Sequence, residues 1–125
     1  MITIVGTDGN PLSAKDVDGS ANDFVYVQGI LKFTGNYSTG GDTLDWTTVA
    51  DKLASDQCFS VFLDWQSLGN NYFSIGGAAT PLNGWKIKVQ APGTFNSELT
   101  AGAYPAGITG DVVPFQATFR KLGAH

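Results

Sequence analysis

Cysteine occurs once, at Cys58, and histidine once, at His125. A single thiol forbids an internal disulfide, so the expected fold does not depend on an oxidising compartment. Cys58 stands in the apolar run CFSVFLDW, where nothing nearby in sequence would lower its pKa, and an inert buried thiol is expected. A histidine at the last residue supplies no anchored base for a nucleophile–histidine–acid triad. One His and one Cys also leave a zinc ligand set incomplete.

Charge is equally scarce: only 14% of the 125 residues are charged, with seven Lys and Arg against eleven Asp and Glu and a formal net charge of -4. Seven scattered basic residues release few counterions from a phosphate backbone, so nucleic acid is not an expected partner. The carboxylates are spread along the chain, and no spacing pairs two of them as acid and base. Asp64 interrupts the run FLDWQ, yet without a partner it reads as a hydrogen-bonded structural residue or one at a strand end.

DVDGS at Asp16–Ser20 fails as a calcium loop, because Gly19 at the sixth position puts Ala14 at the first and Val25 at the twelfth. The Gly-rich pieces Gly35–Gly41 and Ser74–Gly77 lack the G-x-x-x-x-G-K-[ST] pattern of a phosphate loop. Asn36-Tyr37-Ser38 is a formal glycosylation triplet without a secretory route to give it meaning. No apolar run approaches the ~20 residues of a membrane span. The opening MITIVGTDGN has no basic start and no long apolar stretch, so no signal peptide is expected. The expectation is a protein without catalysis, cofactor, metal or membrane contact.

What is present is strand chemistry. Phe24–Phe33 alternates, with Val25, Val27, Gly29, Leu31 and Phe33 on one wholly apolar face that must meet the core. Gly29 in mid-strand predicts a bulge or a close approach by a neighbour. Trp85, Ile87 and Val89 alternate with Lys86, Lys88 and Gln90, and Val113, Phe115, Ala117 and Phe119 alternate with Pro114, Gln116, Thr118 and Arg120. Asn83-Gly84 offers the positive φ angles of a tight turn, and Tyr72–Ile75 is the expected partner of Trp85–Val89.

Cys58–Trp65 reads as a central strand, with Phe59, Val61, Leu63 and Trp65 opposite Cys58, Ser60, Phe62 and Asp64. Trp46, Val49, Ala50 and Leu53 share one helical face behind an Asp45 cap, which predicts one short helix plugging an end of the core and broken at Ser55-Asp56. The fold class expected is all-β, a small single-domain β-sandwich or barrel with one short helix. Residues 23–125 form the β domain. Residues 1–22 are either an arm of low intrinsic order, tipped by Ile2 and Ile4, or an edge strand followed by an ordinary loop.

Two pieces of this chain carry a resemblance. Gly35–Val49 contains G-x-Y-x-x-G-G-D-x-L-D, and the later stretch contains A-G-A-Y-P-A at Ala101–Ala106 and F-x-A-x-F-R-K at Phe115–Lys121. Together they resemble the head decoration, or cement, proteins encoded beside the major capsid protein in tailed bacteriophages, with the similarity spanning residues 30–121. The resemblance implies a β-rich structural virion protein, made in the host cytoplasm and seated on the capsid exterior. It implies the major capsid protein as partner, whose neighbouring subunits it would staple, with a second copy of the chain as a further partner. Ile2 and Ile4, with Tyr37 and Tyr104 from the two family-like loops, are the expected contact residues.

Two other classes compete. A carbohydrate-binding, lectin-like β-sandwich would line a groove with coplanar rings drawn from Trp46, Trp65, Trp85, Tyr37, Tyr72 and Tyr104. An enzyme of unrecognised type is disfavoured by the missing His, Cys and carboxylate clusters.

Overall fold

The computed structural model describes residues 1–63, 71–78, 80–92 and 97–121. Asp64, Trp65, the Gly69-Asn70 turn signal and His125 lie outside the described residues. In chain order the strands and helices are β1 (Ile2–Val5), β2 (Val17–Asp18), β3 (Phe24–Phe33), β4 (Asn36–Tyr37), β5 (Asp42–Leu44), α1 (Ala50–Leu53), β6 (Gln57–Leu63), β7 (Phe73–Gly76), β8 (Trp85–Val89), β9 (Gly102–Ala103), α2 (Ala106–Thr109) and β10 (Val113–Arg120). The domain is all-β and sandwich-like. Its larger sheet runs β1-β3-β10-β6, with β2 beside β1 on the same edge of β3; a second sheet runs β5-β8-β7, and β4 pairs with β9 as a small ribbon.

The alternating strands fold as their period requires. Val25, Val27, Leu31 and Phe33 of β3 and Val113, Phe115, Ala117 and Phe119 of β10 are all buried, as are Trp85, Ile87 and Val89 of β8. Phe33 meets Phe73 of the second sheet with ring centroids 5.1 Å apart, tying the layers together. Burying one such side chain contributes about 1.5–3 kcal/mol relative to exposure. Gly29 lies directly opposite Phe115. A Cβ there would stand 2.8 Å from the Phe115 ring and 2.3 Å from the Val5 carbonyl oxygen, so the close approach is real.

The predicted helix is a 3₁₀ turn at Trp46–Val49 that passes into α1. Asp45 caps it by accepting from the Thr47 N–H at 3.0 Å, and Trp46 plugs the core between Phe115 and Phe119, with ring centroids 5.5 and 4.9 Å away. It ends at Ala54, which takes the left-handed conformation at φ 49°, one residue before the expected break. A further helical turn, α2, and a 3₁₀ turn at Ala14–Asp16 have no apolar periodicity to announce them.

Residues 1–22 pack as a strand and a pinned loop. β1 pairs antiparallel with β3, which places Ile2 and Ile4 in the core, and Leu12 joins them. The polar stretch between is folded around Asp16, whose buried carboxylate accepts from the N–H and hydroxyl of Thr7 at 3.2 and 3.0 Å and from those of Ser13 at 3.1 and 3.3 Å.

Two expectations are corrected. Asn83 and Gly84 do not adopt positive φ; the chain turns over Pro81–Gly84, closed by a Gly84 N–H to Pro81 carbonyl bond of 3.0 Å. Among the described residues β6 is an edge strand and not a central one. Its apolar composition comes from aromatic side chains facing outward as well as from the side it turns to the core.

Candidate interaction surface

The outward placement on β6 follows from its register. Phe115↔Leu63, Gln116↔Phe62, Ala117↔Val61 and Thr118↔Ser60 run in step, and then Phe119 pairs with Cys58. Phe59 is therefore the extra residue of a β-bulge, the device by which edge strands re-aim a side chain. Without the bulge Phe59 would share the inward face of Val61 and Leu63. With it, Cys58 turns into the core and Phe59 turns out. Burial pushes the Cys58 thiol up to about 12, so the sulfur is a protonated, quiet packing group at neutral pH.

Phe59 joins other aromatics on the outer side of the large sheet. Phe62 is 68% exposed, Phe59 60% and Tyr26 45%, and Phe24 packs against Phe59 with ring centroids 5.6 Å apart. The pairing across β3, β10 and β6 sets them in rows: Phe24, Arg120 and Gln57; Tyr26, Thr118 and Ser60; Gln28, Gln116 and Phe62. Arg120 is the one charged side chain in these rows, and Asp18 of β2 adds a second charge beside Tyr26. Beside Phe62 a hollow of about 210 Å3 opens between Gln28, Pro114 and Gln116. Exposed aromatics with few charges, grouped on a rigid sheet, have the composition of the centre of a protein interface.

The four residues expected to meet a partner are placed elsewhere. Ile2, Ile4, Tyr37 and Tyr104 are all buried, so none presents its side chain as surface. The two family-like loops are nonetheless brought together: Asn36 and Tyr37 of β4 pair with Ala103 and Gly102 of β9. Tyr37 and Tyr104 meet edge to face at 5.9 Å. The Tyr37 hydroxyl donates to Glu98 at 2.6 Å, and Glu98 also accepts from the Gly40 N–H at 2.7 Å. The Tyr104 hydroxyl donates to Asp42 at 2.7 Å, and the Met1 amino group lies 2.9 Å from the same carboxylate.

Burial, reinforced by the bond to Glu98, pushes the Tyr37 phenol up to about 12. Burial and the Asp42 bond likewise raise Tyr104. The Tyr37 hydroxyl, with the Gly40 N–H, holds Glu98 below the usual carboxylate range. These groups form a clasp whose hydrogen bonds span 58, 61 and 62 residues of chain, and each phenol stays protonated across the neutral range.

The rings considered for sugar stacking are largely internal: Trp46, Trp85, Tyr37 and Tyr104 are buried, and Tyr72 is half-buried. Alternation within Phe24–Phe33 places Phe24 and Tyr26 opposite the apolar face of β3, which is the sequence signal for this surface. Phe59 had none, because its direction depends on a bulge set by pairing with β10. Among the described residues no three of His, Cys, Asp and Glu come together as a metal-binding group, and no helix is long and apolar enough to cross a membrane. No protein-family model, curated protein or solved structure matches the chain.

Proposed function

We propose that this protein is a structural component of a tailed-phage virion. It decorates the icosahedral capsid by binding the outer surface of the assembled major capsid protein. The observation that carries the reading is the exposed aromatic face centred on Phe59 and Phe62 at the edge of the larger sheet, with Arg120 beside Phe24 and Asp18 beside Tyr26 as its flanking charges. It is a surface suited to docking on protein, and it agrees with the resemblance of residues 30–121 to decoration proteins. Net charge of -4 supports a place outside the shell, away from packaged DNA.

Binding only the assembled lattice would stabilise that lattice by mass action. Many copies repeating one modest contact would stabilise the shell collectively. A lectin-like reading draws on the same exposed rings, but Phe24 and Phe59 are inclined at 55° and offer no coplanar platform. The test is sedimentation of purified protein with undecorated heads. The wild type is expected to co-sediment and a folded Phe59→Ser, Phe62→Ser variant to stay in solution.

A further inference from the structure

The connection between β7 and β8 carries a reactive pair. Asn83-Gly84 is the one asparagine–glycine step in the sequence, and Asn83 is exposed. The Gly84 nitrogen becomes a nucleophile once its proton has gone to hydroxide. The carboxamide carbon of Asn83 lies within its covalent reach, and Gly84 has no side chain to crowd the approach.

The other described candidates are less suited. Asn10 precedes Pro11, whose nitrogen has no proton to give. Asn22, Asn36 and Asn71 precede Asp23, Tyr37 and Tyr72, whose side chains crowd the attack. Asn71 is also buried, with its amide donating to Asp111 at 2.8 Å. Asp8 and Asp18 precede glycines as well, but hydrogen bonds from Lys15 to Asp8 and from the Ser20 N–H to Asp18 keep both ionised. A carboxylate anion is a poor target for a nucleophile.

The folded turn holds the reaction in check. The Gly84 N–H donates to the Pro81 carbonyl at 3.0 Å, so the proton that must leave is engaged. The Trp46 N–H donates to the Leu82 carbonyl at 3.1 Å, which ties the turn to the start of the helical segment. These bonds fix the backbone on both sides of Asn83. Segments of this kind open locally at less free energy than global unfolding needs.

We propose that Asn83 is a site of spontaneous deamidation gated by opening of the Pro81–Gly84 turn. In the open turn the Gly84 nitrogen attacks the Asn83 Cγ. The new N–Cγ bond forms, the Cγ–Nδ2 bond breaks, and the side-chain nitrogen takes up protons and leaves as ammonia. Water then opens the cyclic imide. Addition at Cγ gives an aspartate on the original backbone. Addition at the backbone carbonyl routes the chain through Cγ and gives an isoaspartyl link. Either product gains one negative charge, with one water consumed and one ammonia released. The isoaspartyl link also lengthens the backbone inside the turn, which displaces Gly84 from Pro81 and loosens the tie to Trp46. This site does not depend on the capsid reading.

The test is incubation of the full chain in mildly alkaline buffer, folded and in guanidinium chloride above its unfolding transition, followed by peptide mapping. Conversion is expected first at Asn83, at least about tenfold slower in the folded chain, which corresponds to an opening free energy of about 1.4 kcal/mol or more. Hydrogen exchange at the Gly84 amide is expected to be slowed by a similar factor. Asn83→Gln is expected to abolish the product. Asn83→Asp is expected to melt like wild type, while the isolated isoaspartyl form melts lower. Equal rates in the two states overturn the gate. Earlier conversion at Asn22 or Asn36, or none in either state, overturns the site, and an isoaspartyl form that melts like wild type overturns its effect on the turn.

Discussion

Gly29 and Phe115 face each other across the β3–β10 ladder, and the Phe115 ring occupies the space a side chain at residue 29 would need. The Val5 carbonyl closes the other side at 2.3 Å from the missing Cβ, so relief requires backbone movement. Gly29→Ala is expected to destabilise the domain by about 2–3 kcal/mol. Chemical denaturation measures this directly; a change within about 0.5 kcal/mol, the range of ordinary surface substitutions, contradicts the packing described.

Asp16 makes the loop after β1 sensitive to acid. Burial alone would raise its pKa, but the hydrogen bonds from Thr7 and Ser13 outweigh burial and hold it below the ordinary carboxylate value. A depressed folded pKa contributes stability that is present above the unfolded value of about 4 and lost as pH falls through the folded value. Asp16→Asn is therefore expected to be less stable than wild type at neutral pH, by about 1–3 kcal/mol. It should also lose less on acidification below about pH 4. Parallel denaturation curves across that window, with a constant gap between the two proteins, would count against this role for the charge.

Removing Met1–Asn22 deletes β1, β2 and three buried aliphatic side chains, Ile2, Ile4 and Leu12. At about 1.5–3 kcal/mol each, these alone approach the 5–15 kcal/mol that holds a small domain folded. The truncated chain is expected to lose its cooperative thermal transition or to melt far lower than the full chain. A truncated protein that melts like the full chain would instead make the segment an accessory arm.

Much of the fold was legible because its strands keep a period of two. β3, β8 and β10 bury the faces their alternation assigns, the Asp45 cap opens the helical segment, and Tyr72–Ile75 leads to the strand that pairs with Trp85–Val89. The candidate surface was much less legible. Apolar composition cannot distinguish a strand buried on both sides from an edge strand with exposed rings, and β6 is the second kind. Phe59 points outward because β10 pairs with Cys58 and Ser60 while skipping the residue between them, information that resides in the partner strand. Tyr37 and Tyr104 resembled surface anchors within loops of polar and small residues. Their burial arises from the β4–β9 pairing, which local pattern does not encode.

The central claim is that the Phe59–Phe62 face attaches this protein to an assembled shell through apolar contact, which salt does not screen. The measurement is a titration of wild type and of the Phe59→Ser, Phe62→Ser variant onto undecorated heads across a salt series, with thermal melts confirming that both proteins are folded. The account predicts that wild-type attachment persists into molar salt and raises the temperature at which heads lose integrity. It predicts that the variant binds at least about thirtyfold more weakly, as loss of an interface hot spot requires. Equal attachment by the variant, release of the wild type by modest salt, or binding to naked DNA in place of heads would contradict it.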